Sequence, residues 1–106
     1  MIYREEEIIR KLKKIKEKYI NEGIIILGFF GSFARGEASE TSDLDIIYEM
    51  KDFALEKYPG FKFFEFYSNI KADIEKEFGI SVDLVDINSL NEIGRKYILP
   101  EVKYVA

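Results

Sequence analysis

An unbroken run of seven residues, Ile24-Ile25-Ile26-Leu27-Gly28-Phe29-Phe30, constrains the fold of this chain more than any other segment. The run is apolar or glycine throughout and rich in β-branched residues. This composition predicts a strand that is buried on both faces, because a strand with one solvated face alternates in polarity. Gly31-Ser32 ends the strand, and a short helix can begin there.

The rest of the chain predicts helices and further strands around this one. Apolar residues spaced three and four apart indicate amphipathic helices, and short β-branched runs indicate strands. We expect helices over 4–22, 62–78 and 90–97, and strands at Leu44–Glu49 and Ser81–Asp86, with a connecting stretch to about Gly60 and an apolar tail at 102–105. Gly23 and Gly79 are expected to cap the two long helices. The predicted fold class is α/β (α+β): one domain over 1–106, with a small mixed β-sheet and helices packed on it.

Two absent residue types narrow the possible chemistry. The chain has no Cys and no His, which excludes thiol nucleophiles, disulfides, His general bases and zinc sites built on those ligands. Carboxylates, hydroxyls, Lys, Arg, Tyr and backbone amides remain. Carboxylate-rich sites bind hard cations such as Mg²⁺, Mn²⁺ or Ca²⁺.

The overall charge and hydropathy bear on partners and location. A net charge of −4 argues against direct binding of nucleic acid through a broad basic surface. No apolar run reaches the length of a membrane-spanning helix, and the acidic start of the chain is no signal peptide. We therefore expect a cytoplasmic protein with no membrane association. The five lysines between Lys11 and Lys18 are interpreted as a solvated helix face.

Three polar features point to a phosphate and metal site. Gly31-Ser32 follows the buried strand, where glycine lets a ligand approach the backbone and the serine hydroxyl and nearby amides can bind phosphate oxygens. Asp43 and Asp45 open the next strand, and residues two apart on a strand point to one face, about 6.5–7 Å apart at Cα. Two such carboxylates repel each other unless cations lie between them, as in two-metal phosphoryl transfer. A solvated strand end is the alternative.

The third feature is Asp83, which lies between Val82 and Leu84 in a strand that otherwise suits the core. A buried acid is costly unless it is paired or bound to metal. If this strand lies beside that of Asp45, then Asp83 completes a carboxylate triad. Asp86 fits the turn at the strand end and is interpreted as structural.

Gly31-Ser32, ten residues, then Asp43-Leu44-Asp45 resembles the signature of the DNA polymerase β-type nucleotidyltransferase superfamily. Within it, the chain is most similar to the minimal nucleotidyltransferase (MNT) proteins. The similarity extends over nearly the whole chain, including Val82–Asp86 and the tail at 98–104.

The resemblance implies a role for each matched residue. Gly31 and Ser32 would hold the β- and γ-phosphates of a nucleoside triphosphate, most plausibly ATP. Asp43 and Asp45 would bind two Mg²⁺ ions, and Asp83 would bind the catalytic ion and help to deprotonate the attacking hydroxyl. The same comparison indicates that Arg35 contacts the triphosphate, with a surface salt bridge as the equal alternative, and that the loop of Ser42 shapes the site.

The resemblance also implies a partner. Many MNT proteins are antitoxins of a HEPN-domain toxin and transfer AMP to a tyrosine of that toxin, or neutralise it by forming a complex. Two alternatives to the catalytic antitoxin stay open: an antitoxin that only binds, and a homodimeric enzyme acting on a small molecule. Five aromatic residues at the start of the second long helix, here called the aromatic cluster, bear on whether the protein has a binding surface. The cluster either lines the core or exposes a patch for a partner or a second copy. Its members are Phe61, Phe63, Phe64, Phe66 and Tyr67.

Overall fold

Four strands form one mixed sheet in the computed structural model, which describes residues 3–105 of the chain. The elements in chain order are α1 (Glu5–Tyr19), β1 (Ile24–Phe30), α2 (Ser32–Arg35), β2 (Leu44–Met50), α3 (Asp52–Lys57), α4 (Phe61–Phe78), β3 (Val82–Asp86), α5 (Glu92–Ile98) and β4 (Lys103–Tyr104). The strand order is β3-β2-β1-β4. β2 runs parallel to β3, while β1 is antiparallel to both of its neighbours. Met1, Ile2 and Ala106, at the ends of the predicted domain, lie outside the described residues.

The long helices α1 and α4 cover one face of the sheet. Both bury an apolar stripe at spacings of three and four residues, and both stripes pack on the same side of β2 and β3. The buried helix residues are Ile8, Leu12 and Ile15 of α1 and Ile70, Ile74 and Phe78 of α4. Opposite them, Ile46 and Tyr48 are buried against this layer, as the alternation of β2 predicts.

β1 is buried on both faces, and a β-bulge determines which of its residues face the helices. The pairing with β2 shifts between Ile26 and Gly28, so Leu27 is an extra residue on the β1 side. As a result Phe29 packs into the helical layer, whereas Phe30 packs on the opposite face with Ile47. The continuous apolar run therefore contributes side chains to two hydrophobic cores, one on each face of the sheet.

The C-terminal segment covers this second face. Ile98, Leu99 and Val102 pack against Phe30 and Ile47, and the two-residue strand β4 then pairs with β1. The strand brings the tail close to the β1 backbone, with Val105 donating to the Leu27 carbonyl at 2.8 Å. The second face is thus closed by a short segment at one end, and the start of β2 and β3 is left uncovered by it.

The sequence predicts most elements within two residues of their observed ends. Gly23 and Gly79 adopt left-handed conformations after the long helical segments, which confirms the predicted caps. The first helix is shorter than predicted, because its last turn, Ile20–Glu22, is a 3-10 helix. Two elements were not predicted. α3 is short and buries a single residue, Ala54, so its apolar pattern is weak, and β4 depends on a partner strand far away in sequence.

The aromatic cluster divides between the two predicted outcomes. Phe63, Phe66 and Tyr67 pack against the core, whereas Phe61 and Phe64 are 89% and 65% exposed. Over residues 3–105, no helix combines the length and the apolar character that crossing a membrane requires.

Gly28 offers a test of the pairing between β1 and β4. A β carbon on this residue would lie 2.2 Å from the Lys103 carbonyl oxygen, a backbone atom that cannot rotate away. Gly28→Ala should therefore displace β4 and lower the free energy of unfolding by about 1–3 kcal/mol, the usual cost of overpacking. Urea unfolding followed by circular dichroism measures this difference.

Gly94→Ala is the matched control. Its β carbon would meet the end of the flexible Leu90 side chain at 3.2 Å, and alanine favours the helix that contains it. This variant should be as stable as the original protein or more so. Equal stability of Gly28→Ala and the original protein would contradict the close contact between the two strands.

Candidate active site

Gly31 brings the backbone after β1 against a carboxylate of β2. Its φ of 75° and ψ of −152° lie in a region that favours glycine. A β carbon here would lie 2.0 Å from Asp45 Oδ2, so any side chain would collide with the acid. Ser32 follows as the first residue of α2. The predicted Gly-Ser turn and the acid pair are therefore adjacent in space.

The parallel pairing of β2 and β3 brings a second acid to the same place. Asp45 and Asp83 are direct neighbours in the register, as the sequence analysis expected if the two strands were adjacent. Both point to the face opposite α1 and α4, because the residues that alternate with them are buried in the helical layer. Asp43 precedes Asp45 by two residues, at the exposed start of β2.

The environment of Asp83 differs from the sequence-based expectation. Val82 and Leu84 are buried, but Asp83 is exposed, because β3 is covered on one face only at this position. The expectation of a costly buried acid was wrong. Its position beside Asp45, rather than its burial, connects Asp83 with the site.

The surroundings of Asp45 disfavour its ionised form. Partial burial raises the pKa of Asp45 to about 6, and the negative charges of Asp83, Asp43 and Glu101 add to the effect, while Arg35 opposes it. A carboxylate in this position is destabilised by its neighbours. Such a site favours a bound cation or proton.

Glu101 reaches the site from the C-terminal segment. It was not predicted to be a site residue. Its Oε1 accepts a hydrogen bond from the Gly31 amide at 3.0 Å. Arg35 Nη1 donates to both of its carboxylate oxygens at 3.2 Å, and Arg35 Nε pairs with Glu37 at the same distance. Arg35 thus forms the surface salt bridges that were one of its two predicted roles. The only signal in the sequence was a single acid within an apolar tail.

Ser42 acts within its own loop. Its hydroxyl accepts a hydrogen bond from the Ser39 amide at 2.9 Å and lies 3.3 Å from the Ser39 hydroxyl. These contacts fix the turn that leads into Asp43. An open groove begins beside this turn and is lined by Thr41, Ser42 and Asp43 on one side and by 79–81 on the other.

The acids are suited to a hard cation in their chemistry but are not arranged as a closed metal site. Within 3–105 no three His, Cys, Asp or Glu side chains converge closely enough to hold an ion. Asp43, Asp45 and Asp83 nevertheless lie at the same end of the neighbouring strands β2 and β3, close enough for the charges of Asp43 and Asp83 to raise the pKa of Asp45. Such carboxylates match Mg²⁺, which binds one or two protein carboxylates together with substrate phosphates.

The sequence and fold as a whole match one family. Residues 10–105 match the profile of the family described as Polymerase beta, Nucleotidyltransferase. The chain belongs to this polymerase β nucleotidyltransferase family. It is an enzyme of the minimal nucleotidyltransferase kind, as the motif predicted, and its reaction class is nucleotidyl transfer.

Two archaeal relatives of this nucleotidyltransferase have names that describe an activity. A candidate protein adenylyltransferase of Methanocaldococcus jannaschii is 39% identical over 102 residues, which cover 94% of this chain and 93% of the relative. The protein adenylyltransferase MntA of Thermococcus cleftensis is 37% identical over 94 residues, which cover 88% and 83%.

Two solved structures share the nucleotidyltransferase fold. A candidate minimal nucleotidyltransferase superposes with a TM-score of 0.74 at 25% identity and 95% coverage of both chains. A toxin–antitoxin structure with AMP-PNP superposes with a TM-score of 0.65 at 19% identity, covering 92% of this chain and 72% of that one. The mixed sheet with helices on it is therefore the fold that the motif predicted.

The raised pKa of Asp45 predicts how stability depends on pH. The folded protein holds this proton up to about pH 6, whereas an unfolded chain releases it near 3.8, so the apo protein loses stability as pH rises between these values. Asp45→Asn removes the charge. At pH 7 without metal it should raise the free energy of unfolding by about 1–2 kcal/mol, after discounting for solvent screening.

Urea unfolding in EDTA at pH 7 and at pH 3.5 measures the effect. The gain should nearly disappear at the lower pH, where the carboxyl of Asp45 is protonated in the folded state and mostly protonated in the unfolded state. Glu56→Gln, on the exposed side of α3, removes one charge elsewhere and should change stability little at either pH. A gain of equal size for both variants would contradict the local origin of the repulsion.

Proposed function

We propose that this nucleotidyltransferase transfers AMP from Mg²⁺-bound ATP to a hydroxyl of a partner toxin, and that it acts in this way as an antitoxin. The adjacency of Gly31, Asp45 and Asp83 carries the proposal, because it joins a backbone that can approach phosphate to acids that can bind metal. Relatives named protein adenylyltransferases support a protein acceptor. The fold shared with a toxin–antitoxin structure with AMP-PNP supports an adenine nucleotide and a toxin partner.

Each acid has a part in this proposal. Asp43 and Asp45 would hold Mg²⁺, and the ion would supply positive charge opposite the triphosphate. Gly31 and Ser32 bind the terminal phosphates. Asp83 lies one strand further along the same face and accepts the proton of the acceptor hydroxyl.

The transfer is an in-line displacement. The acceptor oxygen forms a bond to the α-phosphorus, the bond to the β-phosphate oxygen breaks, and pyrophosphate leaves. Asp43 and Asp83 are exposed, so an acceptor from another protein can reach this end of the sheet. We infer that the partner is a HEPN-domain toxin and that the acceptor is a tyrosine. Most of the rate then comes from positioning the two substrates.

Asp83→Asn tests the chemistry apart from binding. The amide cannot accept a proton, so this variant should lose transfer by about 100-fold or more while it still binds Mg–ATP. The protein is incubated with the product of the neighbouring gene, Mg²⁺ and ATP. Intact-mass spectrometry of that product counts additions of about 329 Da, the mass of one adenylyl group.

Asp86→Asn is the matched control from the same strand. Asp86 faces the other side of the sheet and accepts a hydrogen bond from the Asn88 amide at 2.9 Å, which asparagine can also accept. This variant should transfer AMP at the original rate. Full transfer by Asp83→Asn would exclude its catalytic role, and neutralisation of the toxin by Asp83→Asn without an adduct would favour an antitoxin that only binds.

A further inference from the structure

The groups proposed to receive phosphate already bind an anion of the protein itself. The Gly31 amide donates to Glu101 Oε1 at 3.0 Å, and Arg35 Nη1 donates to both Glu101 oxygens at 3.2 Å. A carboxylate held by one backbone amide and one guanidinium uses the same donors that a phosphate oxygen would use. Glu101 therefore occupies the place of a ligand.

The position of Glu101 follows from the fold. In the antiparallel pairing of β1 with β4, Gly28 faces Tyr104 and Phe29 faces Lys103. Continued by two residues, this register places residue 101 level with residue 31. The preceding 3-10 turn, Leu99–Glu101, is anchored by Leu99 in the second core, so the carboxylate is delivered by a packed segment and not by a free tail.

We propose that Glu101 is an internal competitor of the nucleotide: its carboxylate fills the phosphate site in the empty enzyme and leaves when a triphosphate binds. This inference rests on the proposed nucleotide site at Gly31. One amide hydrogen cannot serve both anions fully, and a triphosphate approaching Gly31 meets the like charge of Glu101. Binding therefore includes the release of Glu101 from Gly31 and Arg35.

The release changes the partner of Arg35. Its guanidinium exchanges a carboxylate for phosphate, while Glu37 still pairs with its Nε. The carboxylate that leaves belongs to the packed segment that leads into β4, two residues further along the chain.

Glu101→Gln tests the competition. Glutamine keeps an oxygen that can accept from the Gly31 amide but loses the charge that holds Arg35. The variant should bind inorganic tripolyphosphate, and Mg–ATP, about three- to tenfold more tightly than the original protein, since an empty site is more often available. Isothermal titration calorimetry measures both ligands, the first in EDTA.

Glu37→Gln is the matched control. Both variants change the net charge from −4 to −3, and both remove a carboxylate from Arg35, but Glu37 does not contact Gly31. Its affinity for tripolyphosphate should change by less than about twofold, the effect of an exposed charge. An equal gain in affinity for tripolyphosphate in the two variants would show that only the net charge matters, and it would overturn the competition.

The Gly31 amide gives a second readout that does not depend on activity. Its ¹H–¹⁵N resonance should shift in Glu101→Gln without ligand, and tripolyphosphate should shift it in the original protein. Unchanged binding by Glu101→Gln would overturn the competition, and weaker binding would show instead that Glu101 supports the nucleotide site, even if AMP transfer to the toxin is intact. If neither protein binds either ligand, the proposed nucleotide site is wrong and so is the competition. If Glu101→Gln binds more tightly but no AMP is transferred, the competition is supported and the proposed reaction is overturned.

Discussion

A β carbon on residue 31 would overlap Asp45 Oδ2, and the whole site depends on the space that its absence leaves. The space lets the turn after β1 lie against the first acid of β2. The amide proposed to bind phosphate and the acids proposed to bind metal therefore come from two hydrogen-bonded strands and the turn between them. Pairing with β3 then adds Asp83 without any loop having to order itself. Sites built on strands are held more precisely than sites on loops, which suits a reaction that depends on positioning.

The same arrangement brings the carboxylates of Asp43, Asp45, Asp83 and Glu101 close together. Partial burial raises the pKa of Asp45 to about 6, and the negative charges of Asp83, Asp43 and Glu101 add to this effect. Arg35 offsets part of this charge through its pair with Glu101. The ionised form of Asp45 is therefore disfavoured, and the guanidinium of Arg35 is already paired with Glu101 and Glu37. Function and stability oppose each other at this point, as is common where a site must bind charge.

The sequence predicts the parts of the site that are local and misses the part that is not. The spacing from Gly31 to Asp45 spans one turn and one loop, and the alternation of β2 fixes the face of the acid, so local patterns could predict that the two are adjacent. The position of Asp83 beside Asp45 was also predicted, but its exposure was not, because the covering of that face depends on how the C-terminal segment packs. Glu101 reaches Gly31 only because β4 pairs with β1, a contact between residues 70 positions apart that no local pattern predicts.

Diffraction from crystals grown with Mn²⁺ and AMP-PNP tests the central claim most directly, because anomalous scattering locates the metal without reference to activity. Mn²⁺ should be bound by Asp43 and Asp45, and where a second ion binds it should lie about 3.5–4 Å from the first. The terminal phosphates should lie at Gly31 and Ser32. Manganese at any other group of acids, or a triphosphate bound away from Gly31, would contradict the central claim.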